Sequence, residues 1–124
     1  MAMEHAGKAI LVVEDDAVTR EAMTLILRED GYSVASAANG QEALSHLRHS
    51  HRPHLILLDL MMPVMNGMEF RKEQQKDPAL KNIPVVVVSA DGNVPQKAAS
   101  IGVTDYLLKP VDIDVLLNTV RRYC

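Results

Sequence analysis

Five short apolar runs, each followed by a segment with helical spacing, constrain this chain more than any other feature. They read AILVV from Ala9, SVAS from Ser33, LILL from Leu55, VVVV from Val85 and YLL from Tyr106. The first, third and fourth are unbroken aliphatic stretches. Strands buried on both faces look like this, and a parallel sheet covered by helices makes such strands. From Ala17 to Glu29, Val18, Ala22, Met23, Leu25, Ile26 and Leu27 form a broad apolar arc that Gly31 closes. Asn39 followed by Glu42 predicts a capping box opening a helix that contains Ala43, Leu44 and Leu47. Ile113, Leu116, Leu117 and Val120 fall at i, i+3, i+4 and i+7 of a last helix. Two more helices are expected, over Gly67–Lys76 and Pro95–Ile101. The first is so polar after Phe70 (RKEQQK) that few apolar contacts are expected of it. Strand alternating with helix predicts an α/β domain of type (βα)5, with a parallel sheet and right-handed crossovers.

A length of 124 residues suits one domain. Residues 1–7 read as a loose lead-in and 8–124 as the folded unit, whose last helix ends so near the terminus that no output module is expected. Thirteen basic against sixteen acidic residues give a net charge of -3. That balance lacks the basic footprint of a direct nucleic-acid or anionic-membrane binder. Three tyrosines and one phenylalanine are too few for base-stacking platforms. No run approaches the ~20 apolar residues of a membrane span, and MAMEHAGK has no signal-peptide core. The single cysteine, Cys124, rules out an internal disulfide and favours a reducing, cytoplasmic setting.

In an open parallel sheet, function collects at the carboxyl ends of the strands. That edge carries Glu14, Asp15 and Asp16 after the first run, Asp59 after the third, Ser89 after the fourth and Lys109 after the fifth. Glu14, Asp15 and Asp59 crowded together would repel one another and so call for a cation. An all-oxygen donor set suits Mg²⁺. A carboxylate beside a divalent ion and a lysine is equipped to receive a phosphoryl group, with Asp59 attacking in line and Ser89 bonding a phosphoryl oxygen. Each residue alone has a plainer reading: an Asp or Ser after a strand caps the next helix, and Lys109-Pro110 is a solvated loop. Four strands supplying the required groups at one edge favours the chemical reading.

These residues sit in ILVVEDD, LLDLMMPVMNG, VVVVSA and YLLKP. In that order and spacing the chain resembles the receiver domain of two-component response regulators, from about Lys8 to Tyr123. The resemblance implies a flavodoxin-like three-layer fold with strand order 2-1-3-4-5 and a phospho-accepting switch. Asp59 would be the phospho-acceptor, and Glu14, Asp15, Asp59 and the backbone carbonyl of Met61 the Mg²⁺ site. Ser89 would bond the phosphoryl group, Lys109 would be the family's lysine, and Tyr106 the aromatic switch. Pro110 would follow Lys109 through a cis peptide bond. The phosphodonor would be a histidine kinase or histidine phosphotransfer protein, docking around Ala17, Val18, Arg20 and the loop after Pro110. A downstream protein would read the face built by the fourth helix, fifth strand and fifth helix.

Val111, Val103 and Pro95 depart from the family pattern on or near that output face. Of the charged positions typical of dimerising DNA-binding regulators, Asp105 is present, but Pro95, Ser100 and Thr119 are uncharged, so a monomer is expected. Rival readings fare less well. His46, His49, His51 and His54 lack a recognised metal-ligand spacing. A flavin or nucleotide binder needs a phosphate-cradling loop where this chain has EDDA. An aspartyl-phosphate hydrolase needs a second acid where Met61 stands, and turnover of a separate metabolite is not expected. A receiver segment of a larger hybrid kinase or transcriptional regulator remains an alternative.

Overall fold

A computed structural model of the protein describes residues 7–124. All of the expected lead-in but Gly7 lies outside the described residues. The elements alternate as expected: β1 (Ala9–Val13), α1 (Ala17–Glu29), β2 (Ser33–Ala37), α2 (Gly40–His49), β3 (Leu55–Leu58), α3 (Gly67–Lys76), β4 (Val85–Ser89), α4 (Val94–Ser100), β5 (Tyr106–Leu108) and α5 (Ile113–Arg121). All strand pairs are parallel, in the order β2-β1-β3-β4-β5. Among the described residues, no helix is long and apolar enough to cross a membrane.

Alternation along the strands builds two cores, because successive side chains point to opposite faces. Leu11, Val13, Ile56, Leu58 and Val87 pack under α2, α3 and α4, where they meet Leu44, Phe70 and Ala98. Ile10, Val12, Leu57, Val86 and Val88 face α1 and α5, against Met23, Leu27, Leu116 and Val120. Each such aliphatic side chain contributes roughly 1.5–3 kcal/mol by leaving water. The central strands are thus committed on both faces, and their polar ends project at one edge.

Three details differ from expectation. β2 and β4 each run one residue further, to Ala37 and Ser89, because the ladder continues past the apolar run. The Asn39 cap is one-sided: Asn39 accepts from the Glu42 N–H at 2.9 Å, but Glu42 accepts from the Ala38 N–H rather than from Asn39. The complete box forms at Asn66 and Glu69. The two caps differ in φ, -161° at Asn39 and -78° at Asn66, which aims the cap N–H differently. α4 begins and ends one residue earlier than expected, at Val94 and Ser100. α3 makes few apolar contacts, as expected, and after Phe70 it buries only the polar Gln74. The Gln74 amide donates to the carbonyls of Leu80 (3.0 Å) and Ile83 (3.1 Å), so its burial leaves no donor unmet. Arg71 donates to Gln74 (2.8 Å) and to the Ile101 carbonyl (2.9 Å), fastening α3 to the end of α4.

Candidate functional site

The carboxyl edge of the sheet gathers the acids. Glu14 follows β1, and its N–H donates to the Ala37 carbonyl at 3.0 Å, which carries the ladder one step past the strand. Asp59 follows β3 in the same way, donating to the Val13 carbonyl at 3.0 Å. Both side chains are buried, Glu14 at 2% and Asp59 at 5% exposure, whereas Asp15 is exposed. One carboxylate oxygen from each of Glu14, Asp15 and Asp59 lies within 4.8 Å of the other two.

Lys109, arriving from the end of β5, lies between the two buried acids. Its Nζ pairs with Glu14 Oε1 and, at 3.2 Å, with Asp59 Oδ2. Its backbone N–H donates to the Ser89 carbonyl at 3.0 Å, and the following bond to Pro110 is cis. The Met61 N–H reaches Asp59 Oδ1 at 3.3 Å. Burial raises the Glu14 carboxyl above its ordinary value, and the Lys109 and Asp16 bonds only partly offset it. Burial acts on Lys109 in the opposite sense, yet its bond to Glu14 and the charge of Asp59 leave the ammonium held above its ordinary value. The site therefore keeps its lysine charged.

The three consecutive acids after β1 have separate occupations. Asp16 is the N-cap of α1, accepting from the Thr19 N–H (2.9 Å) and hydroxyl (2.6 Å). Those two bonds hold its carboxyl below the usual range. Glu14 accepts from the Asp16 N–H at 3.1 Å as well as from Lys109. The Asp15 carboxylate has no hydrogen-bond or ion-pair partner among the described residues. Two buried acids and one solvent-facing, uncommitted acid form a hard oxygen set that fits a Mg²⁺ ion by its donor chemistry.

Ser89 ends β4 and is fully buried; its Oγ accepts from the Asp91 N–H at 3.4 Å. Met61 is 61% exposed on the loop after Asp59. Tyr106 faces outward at 39% exposure, beside Val87 in the sheet register. The structure thus brings Glu14, Asp15, Asp59 and Lys109 together, sets Ser89 one strand away, and leaves Tyr106 turned out. His49 and His54 are each engaged with a backbone group, the Ser45 carbonyl at 2.7 Å and the Ala9 N–H at 3.0 Å.

Gly67 is where the loop from Asp59 closes. A Cβ there would stand 2.3 Å from the Asp59 carbonyl oxygen and 2.8 Å from Leu60 Cα, a space that only glycine fits. Sequence reasoning missed how Arg20 and Lys97 are used. Arg20 binds carbonyls of the acidic loop, and Lys97 on α4 pairs with Asp91. Carbonyl partners leave no mark in a sequence, and only the (i, i+6) separation of Asp91 and Lys97 could have hinted at their pairing.

Comparison with known proteins agrees with this architecture. The family model for the response regulator receiver domain matches residues 10–121. The chain is 37% identical, over 94% of its length, to the CAI-1 autoinducer sensor kinase/phosphatase CqsS of Vibrio cholerae, of which it spans 17%. It spans 51% of DNA-binding response regulators that it matches at 35% identity. Among solved structures, the chemotaxis protein CheY4 of Vibrio cholerae superposes with a TM-score of 0.86 at 31% identity, covering 96% of this chain and 100% of that one. A receiver domain of a Pseudomonas aeruginosa sensor histidine kinase, solved with a magnesium ion in its active-site cleft, gives 0.86 at 28% identity, over 95% of this chain and 98% of that one. With its matched residues taking in nearly every strand and helix, and with this strand order, the chain belongs to the response regulator receiver domain family.

Proposed function

We propose that this chain is a phospho-accepting switch in which Asp59 receives a phosphoryl group from a histidine kinase or histidine phosphotransfer protein. The observation that carries this is the placing of Asp59. It is buried between the Met61 N–H and the Lys109 ammonium, with oxygens of Glu14 and Asp15 within 4.8 Å. In the transfer, an Asp59 carboxylate oxygen forms the new P–O bond as the donor's P–N bond breaks, and the released imidazole takes a proton. Glu14, Asp15, Asp59 and the Met61 carbonyl would hold a Mg²⁺ ion, which would supply positive charge against the phosphoryl oxygens. Lys109 adds a second cation on the protein's side of the site. Ser89 offers its hydroxyl to the transferred group, and that recruitment biases Tyr106 and the face of α4, β5 and α5 toward a form that a downstream protein recognises. The protein catalyses only its own phosphorylation and slow hydrolysis.

The donor's place is supported by a groove of about 460 Å³ between α1 and the loop into α5, lined by Val18, Ala22, Ile26, Pro110, Val111 and Leu116. Val18 at its rim is 77% exposed. A monomer is supported by the internal bonding of Asp105 to the Tyr123 hydroxyl and of the Thr119 hydroxyl to the Val115 carbonyl. We take residues 8–124 as the receiver unit, working in the cytoplasm. A second reading, a receiver segment of a larger kinase or transcriptional regulator, draws on the 17% and 51% spans of the relatives above; the length of the full coding sequence separates the two. To test the main reading, the protein is incubated with Mg²⁺ and acetyl phosphate and weighed intact. The expected result is an adduct of one phosphoryl group that is absent without Mg²⁺ and absent in Asp59→Asn. An adduct that persists in Asp59→Asn overturns the assignment.

A further inference from the structure

One residue beside the acidic loop forms no ion pair with its carboxylates and yet holds the backbone that carries one of them. Arg20, on the first turns of α1, sends a single guanidinium nitrogen, Nη1, to two successive carbonyl oxygens: Glu14 at 2.8 Å and Asp15 at 3.2 Å. Asp15 is the acid that most needs such help. Glu14 and Asp59 are held through their side chains by Lys109, and Asp16 is held by Thr19. With no bond to its own carboxylate, Asp15 takes its Cα–Cβ direction from the backbone, and Arg20 grips that backbone on either side of the Asp15 Cα. The bonds are charge-assisted and stronger than neutral ones. They also place a cation on the backbone of Glu14 and Asp15 without forming an ion pair to either carboxylate.

We infer that Arg20 is a positioning residue for the cation site, clamping the 14–15 backbone so that the Asp15 carboxylate faces Glu14 and Asp59. The inference rests on the reading of those three acids as the Mg²⁺ group. It makes a prediction of definite sign. If Arg20 acted only as a nearby positive charge, removing it would relieve repulsion on an incoming Mg²⁺ and tighten binding. If it acts as a clamp, removing it weakens binding, and residues that orient metal ligands typically change affinity by about 10-fold or more.

The experiment is a Mg²⁺ titration by calorimetry, without phosphodonor, of the parent, Arg20→Met and Arg20→Lys, with amide chemical shifts of residues 14–16 recorded in metal-free protein. The clamp predicts about 10-fold weaker Mg²⁺ binding in Arg20→Met, a smaller loss in Arg20→Lys, and displaced Asp15 and Asp16 amide signals before any metal is added. Equal or tighter binding in Arg20→Met overturns the inference while leaving the Mg²⁺ reading intact. A parent that binds no Mg²⁺ overturns that reading and the inference with it. Should Arg20→Met fail to fold, Arg20→Lys decides alone, because it keeps the charge: unchanged affinity and unchanged Asp15 shifts refute the clamp.

Discussion

The loop after β1 and the loop after β4 begin alike, each leaving a buried strand and carrying acids into a helix, but they are held very differently. Residues 14–16 are gripped by Arg20, by a full side-chain cap at Asp16 and by the ladder bond from Glu14 to Ala37, and they open a helix of 13 residues. Residues 90–93 open a helix of 7, with Pro95 in its first turn and an Asn93 cap that makes no side-chain bond. Their side-chain ties are the Asp91–Lys97 pair, the Asp91–Asn93 turn and the long 3.4 Å contact of the Asp91 N–H with Ser89. At its far end α4 is fastened by Arg71 to the body of the protein. A binding site profits from rigid ligands, whereas a region that must respond needs local stability low enough to shift. Under the function proposed above, the first loop suits the former task and the second the latter.

Removing the cap on the firm side should do the most damage. Asp16→Ala deprives α1 of both Thr19 bonds and should lower the melting temperature by several degrees, on the order of 5 °C; no shift would mean the β1 loop is held no better than its counterpart. Lys97→Met should barely move the melting temperature, since a partly exposed ion pair contributes little. It should nevertheless raise amide exchange several-fold over residues 97–101, the hydrogen-bonded amides of α4, while leaving α1 unchanged. Equal rises in both helices would erase the contrast. Asn93→Ala should do least, within about 1 °C of the parent, because the side chain it removes makes no capping bond.

Acid adds a finer test of the same pair. The Lys97 bond, and after it the Asn93 N–H, hold the Asp91 carboxyl below its ordinary 3.8. A carboxyl lowered by folding contributes stability above that ordinary value and loses it as pH falls through the lowered one. The α4 tie is therefore intact at neutral pH and fails only below about pH 4. Carboxyl-carbon shifts should show Asp91 titrating nearer 3.8 in Lys97→Met, with Asp16, held by Thr19 instead, unmoved.

Most of the fold could be read from aliphatic runs and helical spacing because two cores and a covered sheet demand that pattern. Strand ends slipped by a residue at Ser36 and Val88, where hydrogen bonding outlasts hydrophobicity. The few apolar contacts expected of α3 are what it makes, but that its one buried residue after Phe70 is Gln74, with its donors spent on carbonyls, left no mark in the pattern. At the site, the acids and Lys109 were legible from their position after strands. The ties around them were not, since Arg20 reaches backbone carbonyls that no side-chain pattern marks and Arg71 meets the end of α4 only in the folded chain.

The chain has no tryptophan and three tyrosines, and each tyrosine has a different setting. Tyr32 is buried, and the Tyr123 hydroxyl is bonded to Asp105, with burial and that bond pushing its pKa up to about 12. Tyr106 alone faces water to a large extent, on the strand that ends in Lys109. The protein thus carries its own optical label: a change in tyrosine emission or near-ultraviolet absorbance on phosphorylation would report the surroundings of Tyr106, without any attached dye.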